Sequence, residues 1–499
     1  DYGPLGAELK RNVKELWWKS MTRDREDVEG LEATIILHPR IWEASGHTST
    51  FSDPMVDCRL SQKRFRADQI PPMSGTVWTW TGATDPEGKK VCNDSFSLLQ
   101  LPGKDANAVR KAGKQFYQQR GITEPVLQGE TTKEVKDSTG FNPENGAELT
   151  APRAFNLMFK TYIGPVESDE NVAYLRPETA QAIFADFKSV CEVSRQSVPF
   201  GICQIGKAFR NEINPRNFTF RSREFEQMEL EFFIRPDEVA EKFGPVPTEE
   251  QAGEPQPNWG WKAWHSYWVR KRLEWYESIG LSRDTLELYW QKPEELAHYA
   301  RATVDILFKF PFGVQELEGI AARSNFDLTQ HQKFSGKSME YFDEAAKAKY
   351  IPHVIEPSAG VDRMILALIC NAYTEETVTN EKGKEETRIV LKFHPRVAPI
   401  KVGVFPLLKN KPELVAKAKE IRDMLRPHMN VFYDEAGAIG RRYRRQDEAG
   451  TPYGVTIDFD TLGEHPELKD TVTLRDRDTM EQVRIKIDEL LPFLMNKIK

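Results

Sequence analysis

Phe209-Arg210-Asn211-Glu212, a polar loop, and then Phe220-Arg221-Ser222-Arg223-Glu224-Phe225-Glu226-Gln227-Met228-Glu229 gather arginines, aromatic rings and carboxylates into one short stretch of chain. Arginine meets phosphate oxygens through two parallel hydrogen bonds. An aromatic ring stacks on a base for ~1–3 kcal/mol. The chemistry these residue types suit is nucleotide binding. Cys203–Arg210 reads as one strand and the stretch from about Thr219 to Ile234 as a second, joined by the turn-rich Asn214-Pro215-Arg216-Asn217. Side chains alternate along a strand, so Arg210 and Glu212 share a face. Arg221, Arg223, Phe225, Gln227 and Glu229 likewise share one, while Met228, Leu230 and Phe232 point the other way, toward a core. Two readings stand: a nucleotide floor, or a solvated sheet edge with cross-strand ion pairs.

A second constellation is Glu356-Pro357-Ser358-Ala359-Gly360-Val361-Asp362-Arg363, which runs straight into the apolar Met364-Ile365-Leu366-Ala367-Leu368-Ile369. Small residues let a backbone pass close to a ligand, and an arginine opening a helix can close over a nucleotide. An ordinary strand-to-helix turn is the alternative. His47, His331 and His353 have no metal-ligand spacing and receive no role.

The elements that must position these residues follow from periodicity. Leu5, Leu9, Val13, Leu16 and Trp17 recur at helical spacing and predict a helix over 5–19. Thr34-Ile35-Ile36-Leu37 reads as a short buried strand, 258–280 as a Trp-rich helix and 363–373 as a buried helix. Residues 74–150 are rich in Gly, Asp, Lys, Asn and Thr with poor periodicity, which predicts an inserted, partly mobile region. Residues 374–388 form a polar stretch. From 397 onward, strands at 400–405, 430–433, 454–459 and 471–475 and helices at 411–426 and the C-terminus predict a small α/β domain.

At 499 residues the chain is too long for one core, and two or three domains are expected. Apolar residues make up 39% and aromatics 11%, enough to pack cores and too much for general disorder. A net charge of −7 excludes bulk electrostatic coating of nucleic acid, not a local basic patch. Five scattered cysteines with no C-x-x-C pair argue against zinc and disulfides and for a reducing cytoplasm. No apolar run is long enough to span a membrane. The chain opens on Asp1, not Met, so residues before it are expected.

Phe-Arg-x-Glu, a loop, then Arg-x-x-x-Phe-x-x-x-Glu resembles motif 2 of class II aminoacyl-tRNA synthetases, and Glu356–Arg363 resembles motif 3. The helix ending in Trp17-Trp18, a strand and Pro39 loosely resemble motif 1, the dimer-forming element. Asp1–Gly6, Ser45–His47, Asp53–Asp57, Arg176–Gln181, Arg223–Glu229, Glu316–Ala321 and Glu356–Arg363 are similar to the bacterial-type homodimeric glycyl-tRNA synthetases. That resemblance implies an antiparallel catalytic sheet flanked by helices over 1–73 and 151–396, an insertion at 74–150, and an α/β anticodon-binding domain at 397–499. It implies ATP with magnesium, glycine and tRNA(Gly) as ligands, and a cytoplasmic homodimer. The catalytic residues would be Arg210, Arg363 and Glu316, with Glu316 also meeting magnesium through ATP. ATP would contact Asn211, Glu212, Phe220–Phe225, Leu317 and Gly360–Asp362 as well. Glycine would meet Arg64, Glu178, the Phe225–Glu229 segment and the Glu356–Gly360 segment; Arg66 is an equally basic neighbour of Arg64. Arg441, Arg442, Tyr443, Arg444 and Arg445 would contact tRNA through phosphates and a stacking ring, or form a solvated basic loop. The resemblance also admits a catalytically inactive, nucleic-acid-binding accessory subunit, and a synthetase for proline, threonine or serine.

Overall fold

The structure, a computed structural model, describes residues 1–248, 253–379, 383 and 385–498. The chain forms two compact units, one comprising Asp1–Ser45, Glu178–Ala208 and Glu224–Lys499, the other Gly46–Pro177 and Phe209–Arg223.

The first unit is built on a seven-stranded sheet. Its strands are β1 (Val28–Gly30), β2 (Phe200–Phe209), β3 (Glu224–Ile234), β4 (Leu286–Trp290), β5 (Ala302–Phe310), β6 (Gly313–Ser324) and β7 (His353–Gly360), in spatial order β1-β2-β3-β7-β6-β5-β4. From β3 to β4 every neighbour is antiparallel; β1 joins β2 in parallel. The helices are α1 (Pro4–Thr22), α2 (Ala180–Ser194), α3 (Trp261–Ser278), α4 (Phe326–Ser335) and α5 (Val361–Ala372). α1 starts with Pro4 in its first turn, where the missing N–H is harmless, and buries Leu9, Val13, Trp17 and Met21, one stripe at i, i+4. Under β3, Phe232 packs on Trp264 and Trp268 of α3, with ring centroids 4.9 and 5.1 Å away. Phe233 turns to the opposite face, against Phe184 and Phe187 of α2. Both faces of β3 are therefore buried.

Three expectations fail here for identifiable reasons. Thr34–Leu37 is not a strand: the edge of the sheet is taken by Val28–Gly30, which pairs with Gly201–Cys203, and Ile36 is left 42% exposed. A four-residue apolar run carries too little periodicity to assign. Pro39 opens a short helix, Pro39–Ala44, and does not close a strand. The polar stretch after α5 is instead a hairpin of Tyr373–Thr379 with Glu385–Leu391; Asn380–Lys382 and Lys384 of that stretch lie outside the described residues.

The C-terminal part contains the expected strands and helices, with further elements between them. Strands β8 (Val402–Pro406), β9 (Val431–Tyr433), β10 (Tyr453–Ile457), β11 (Thr471–Asp476) and β12 (Gln482–Lys486) stand in the order β9-β8-β10-β11-β12. The helices are α6 (Pro412–Leu425), α7 (Ile439–Ala449) and α8 (Ile487–Ile498). Val402, Val404, Leu414, Ile421, Val455 and Leu490 belong to its core. α7 was not expected, because its apolar positions are few and its stripe is built from Arg442, Tyr443, Gln446 and Asp447.

In the second unit, the strand Met73–Trp80 lies between Phe96–Leu99 and Thr131–Ser138. The helix Ala106–Gln118 packs Val109, Phe116 and Tyr117 onto Trp80, Phe96 and Leu98, and Phe96 stacks on Phe116 at 4.0 Å. The segment 74–150 thus packs into a core that it shares with Val56, Cys58, Leu60 and Ile70, and its sparse large aromatics are what a periodicity count passes over.

Candidate active site

The sequence places Glu229 on β3 and Ser358 and Glu356 on β7, and the sheet register brings them side by side. Glu229 pairs with Ser358, which also pairs with Gly319 of β6; Glu356 pairs with Ala321. Two residues along β3 from Glu229, and so on its face, stands Glu231. All three carboxylates are buried, and one oxygen of each lies within 4.8 Å of the others.

The three differ in how they are satisfied. Glu229 accepts from the Thr179 backbone N–H at 3.0 Å, from the Thr179 hydroxyl and from the Ser358 hydroxyl at 2.8 Å. Burial, with Glu178 nearby, raises its pKa against the pull of those donors. Glu356 accepts from Nη1 of Arg323 at 2.9 Å. Burial pushes the Glu356 carboxyl upward; Arg323 opposes this, and Glu229 and Glu178 add to it. Neither oxygen of Glu231 has a hydrogen-bond partner among the described residues, and burial and Glu356 hold its pKa well above the usual carboxylate range.

Arg323 is the cation of this cluster. It sits at the irregularity between Ala322 and Ser324 in β6, stacks over Tyr299 at 3.9 Å, and is gripped by Asp327 through two hydrogen bonds of 2.9 Å. Gln181 donates to Glu178 at 2.9 Å and to Asp327 at 3.1 Å, and His331 contacts the Gln181 amide oxygen at 2.9 Å. Glu178, Glu229, Glu356 and Asp327 share one arginine, so the cluster holds more acidic groups than basic ones and suits a small cation.

At the other end of β7, Nη1 of Arg363 lies 3.4 Å from the Glu316 carboxylate and 3.2 Å from its carbonyl oxygen. Asp305 of β5 lies close by: a Cβ at Gly319 would stand 3.5 Å from its carboxylate and 4.0 Å from that of Glu316. Burial pushes Asp305 up to about 6; Gln291 opposes this and Glu316 and Glu295 add to it. Phe225, half-buried, shares the face of Gln227 and Glu229, and Gln227 pairs with Gly360. Gln227 donates weakly to Ser358 at 3.4 Å.

Other expected contacts have different employment. Asp362 accepts from the Tyr2 hydroxyl at 2.7 Å, from Lys10 at 2.9 Å and from the Glu226 backbone N–H at 2.9 Å. Glu226 is bound by Lys10 at 2.9 Å and Lys14 at 2.5 Å. These two carboxylates fasten α1 and do not face a ligand; alternation turns Glu226 away from Phe225 and Gln227. Met228, Leu317, Pro357, Ala359 and Val361 are buried, the paired Met228 and Ala359 on the face opposite Glu229. Glu224 pairs with Lys207 at 2.6 Å.

In the second unit, β3 has not yet begun at 219–223, so strand alternation does not govern Phe220, Arg221, Ser222 and Arg223. Arg210 donates its backbone N–H to the Arg223 carbonyl at 2.9 Å and its Nε to the Pro177 carbonyl at 3.1 Å. Glu212 lies 3.9 Å from Arg221, and Asn211 donates to the Leu157 carbonyl at 2.8 Å. Arg66, bound to Asp53 at 2.7 Å and influenced by Glu212, belongs to this group. Arg64 does not: it is exposed and lies 3.6 Å from Asp57.

In the C-terminal part, Arg442 is buried, donating to the Gly437 and Pro406 carbonyls, and the Tyr443 hydroxyl meets Thr456 at 2.5 Å. Neither has a surface to offer a nucleic acid, which corrects the stacking expectation for Tyr443. Arg441 and Arg444 are exposed; Arg445 is paired with Asp434.

Thr179, Gln181, Glu231, Asp305, Arg323, Asp327 and His331 were not singled out as site residues by their sequence. Glu231 alone had a readable signal, its two-residue offset from Glu229.

Residues 401–497 match the family described as "Anticodon binding domain". A large antiparallel sheet carrying a buried cluster of charged side chains, joined to such a domain, defines an aminoacyl-tRNA synthetase. The chain is 45% identical to a glycine–tRNA ligase of Thermus thermophilus, covering all of this chain and 93% of the relative. It is 43% identical to those of Rhodopirellula baltica and Thermobifida fusca, again over the whole chain and 94% and 92% of theirs. The chain belongs to the glycine–tRNA ligase family.

Proposed function

We propose that this chain is a class II enzyme that activates glycine with ATP and transfers it to the 3′ end of tRNA(Gly). The observation that carries the reading is the buried pair of Glu229 and Glu356 beside Glu178, with Arg323 as their cation. An α-ammonium group neutralises it, and the carboxylates close round the α-carbon so that side chains larger than hydrogen are excluded by volume. Exclusion by clash does not depend on the ~1–3 kcal/mol that a missing methylene provides.

A carboxylate is already a nucleophile at neutral pH, so the first step needs positioning and charge stabilisation more than a base. Arg363 is assigned to the ATP phosphates and Phe225 to stacking under adenine. By resemblance, Arg210 and Arg221 are assigned to phosphates, and Arg64 or Arg66 to the glycine carboxylate. Asp305 and Glu316 offer the hard oxygen donors that magnesium takes together with phosphates. Bound there, magnesium would offset phosphate charge. Asp305 must be ionised for that role and is protonated below about 6. The KM for ATP is therefore expected to rise as pH falls from 7 to 5.5, and the Asp305→Asn enzyme to have a high KM with little pH dependence. Initial rates of ATP–pyrophosphate exchange across pH decide this.

Glycine-dependent exchange, with alanine, serine and proline as controls, tests the reading itself. Exchange with proline or serine instead of glycine would refute it. For tRNA, the exposed Arg441 and Arg444 are assigned to phosphate contacts. Reversing both to Glu is expected to raise the KM for tRNA about tenfold or more, since charge-assisted hydrogen bonds are worth ~1.5–3 kcal/mol. Exchange without tRNA should stay unchanged; equal loss of both would point to misfolding. The bacterial-type homodimer and a cytoplasmic location complete the proposal. Among the described residues no helix is long and apolar enough to cross a membrane.

A further inference from the structure

Among the described residues, Glu231 is the one carboxylate of the pit it forms with Glu229 and Glu356 whose two oxygens have no hydrogen-bond partner, and it is fully buried. The charged groups around it are Glu229 on its own strand, Glu356 on β7, Arg323 on β6 and Asp327 on α4. Glu178 acts on Glu229 and Glu356 beside it. Arg323 is already divided between Asp327 and Glu356, and the Thr179 and Ser358 donors serve Glu229. Among the described residues no hydrogen-bond donor reaches Glu231, and the pull of Arg323 is outweighed by burial; an unpaired buried carboxylate neutralises itself by taking a proton.

Resting on the glycine reading above, we propose that Glu231 works as a neutral carboxylic acid, its proton shared with Glu356, and is a positioning residue of the amino-acid pocket. A protonated carboxyl is a donor where an ionised one is only an acceptor. Its O–H holds the Glu356 carboxylate from the side opposite Arg323, leaving Glu356 and Glu229 as the anions that meet the substrate ammonium. The proton stays within the carboxyl pair throughout, and no bond other than this hydrogen bond is made. The pit then presents the charge that one ammonium satisfies, without a further bare anion behind it.

The decisive comparison is between Glu231→Gln, Glu231→Leu and Glu229→Gln in glycine-dependent ATP–pyrophosphate exchange by the full chain. Glutamine keeps the shape and the donor of a protonated carboxyl. The Glu231→Gln enzyme should keep its glycine KM within about threefold of the parent, while Glu229→Gln raises it about tenfold or more. Glu231→Leu should raise the glycine KM about tenfold or more with kcat and the KM for ATP little changed, because only the amino-acid pocket loses its support. A Glu231→Gln enzyme as impaired as Glu229→Gln would show that the residue acts as an anion and overturn the proposal. An unaffected Glu231→Leu enzyme would overturn it too. So would one equivalent of tightly bound divalent metal in the purified protein that disappears in Glu231→Gln, since a metal would then settle the charge. If Glu231→Leu does not fold, the first comparison alone decides. A parent enzyme that does not respond to glycine fails the functional reading before any variant is compared.

Discussion

Replacing Arg323 by Met is expected to abolish glycine activation and to destabilise the first unit by ~3–5 kcal/mol, the usual consequence of leaving buried charges without their partner. The guanidinium is 2% exposed and makes two hydrogen bonds to Asp327 and one to Glu356. Without it, Asp327 and Glu356 join Glu229 and Glu231 as buried carboxyls with no cation, and protons take the place of the lost charge. A pit so neutralised no longer attracts an ammonium group at pH 7. Thermal unfolding measures the stability loss, and exchange kinetics measure the glycine KM. A variant with parental KM would show that Arg323 serves only the fold.

Glu356→Ala should raise the glycine KM about a hundredfold or eliminate adenylate formation, with the KM for ATP little changed. Truncating one partner of a buried, hydrogen-bonded charge pair costs ~2–5 kcal/mol, and a hundredfold corresponds to ~2.7 kcal/mol. Removing a carboxylate also releases repulsion on Glu229, so the fold should tolerate this change better than Arg323→Met. Unchanged exchange at low glycine would remove Glu356 from the substrate pocket. Together the two variants separate anions that meet the substrate from the cation that holds them in place.

Much of this site could be read before the fold was known. Ser358, Glu356 and Arg363 lie in one run of chain, and β7 does pass directly into α5 there. Period-two alternation correctly put Glu229 opposite Met228, because β3 is a regular strand from Glu224 onward. The same rule fails at Arg221 and Arg223, which precede the strand, and it takes Glu226 out of the pocket. Helical spacing located α1, which carries its own apolar stripe, and the Trp-rich and apolar runs of chain located α3 and α5.

What the sequence by itself determined is therefore whatever depends on neighbours along the chain: the principal helices and strands, the order of the C-terminal elements and the family motifs. Only the tertiary structure decided which charges are satisfied. Arg323 meets Glu356 across 33 residues of chain, Gln181 meets Asp327 across 146, and Ser358 meets Glu229 across 129. Lys10 and Tyr2 claim Asp362 from the far end of the chain, and burial turns Tyr443 from a candidate stacking ring into core. A carboxylate has the same letter whether it is solvated, paired with a cation or protonated. Its role is fixed by desolvation and by partners brought in from distant strands, and neither is encoded in local spacing.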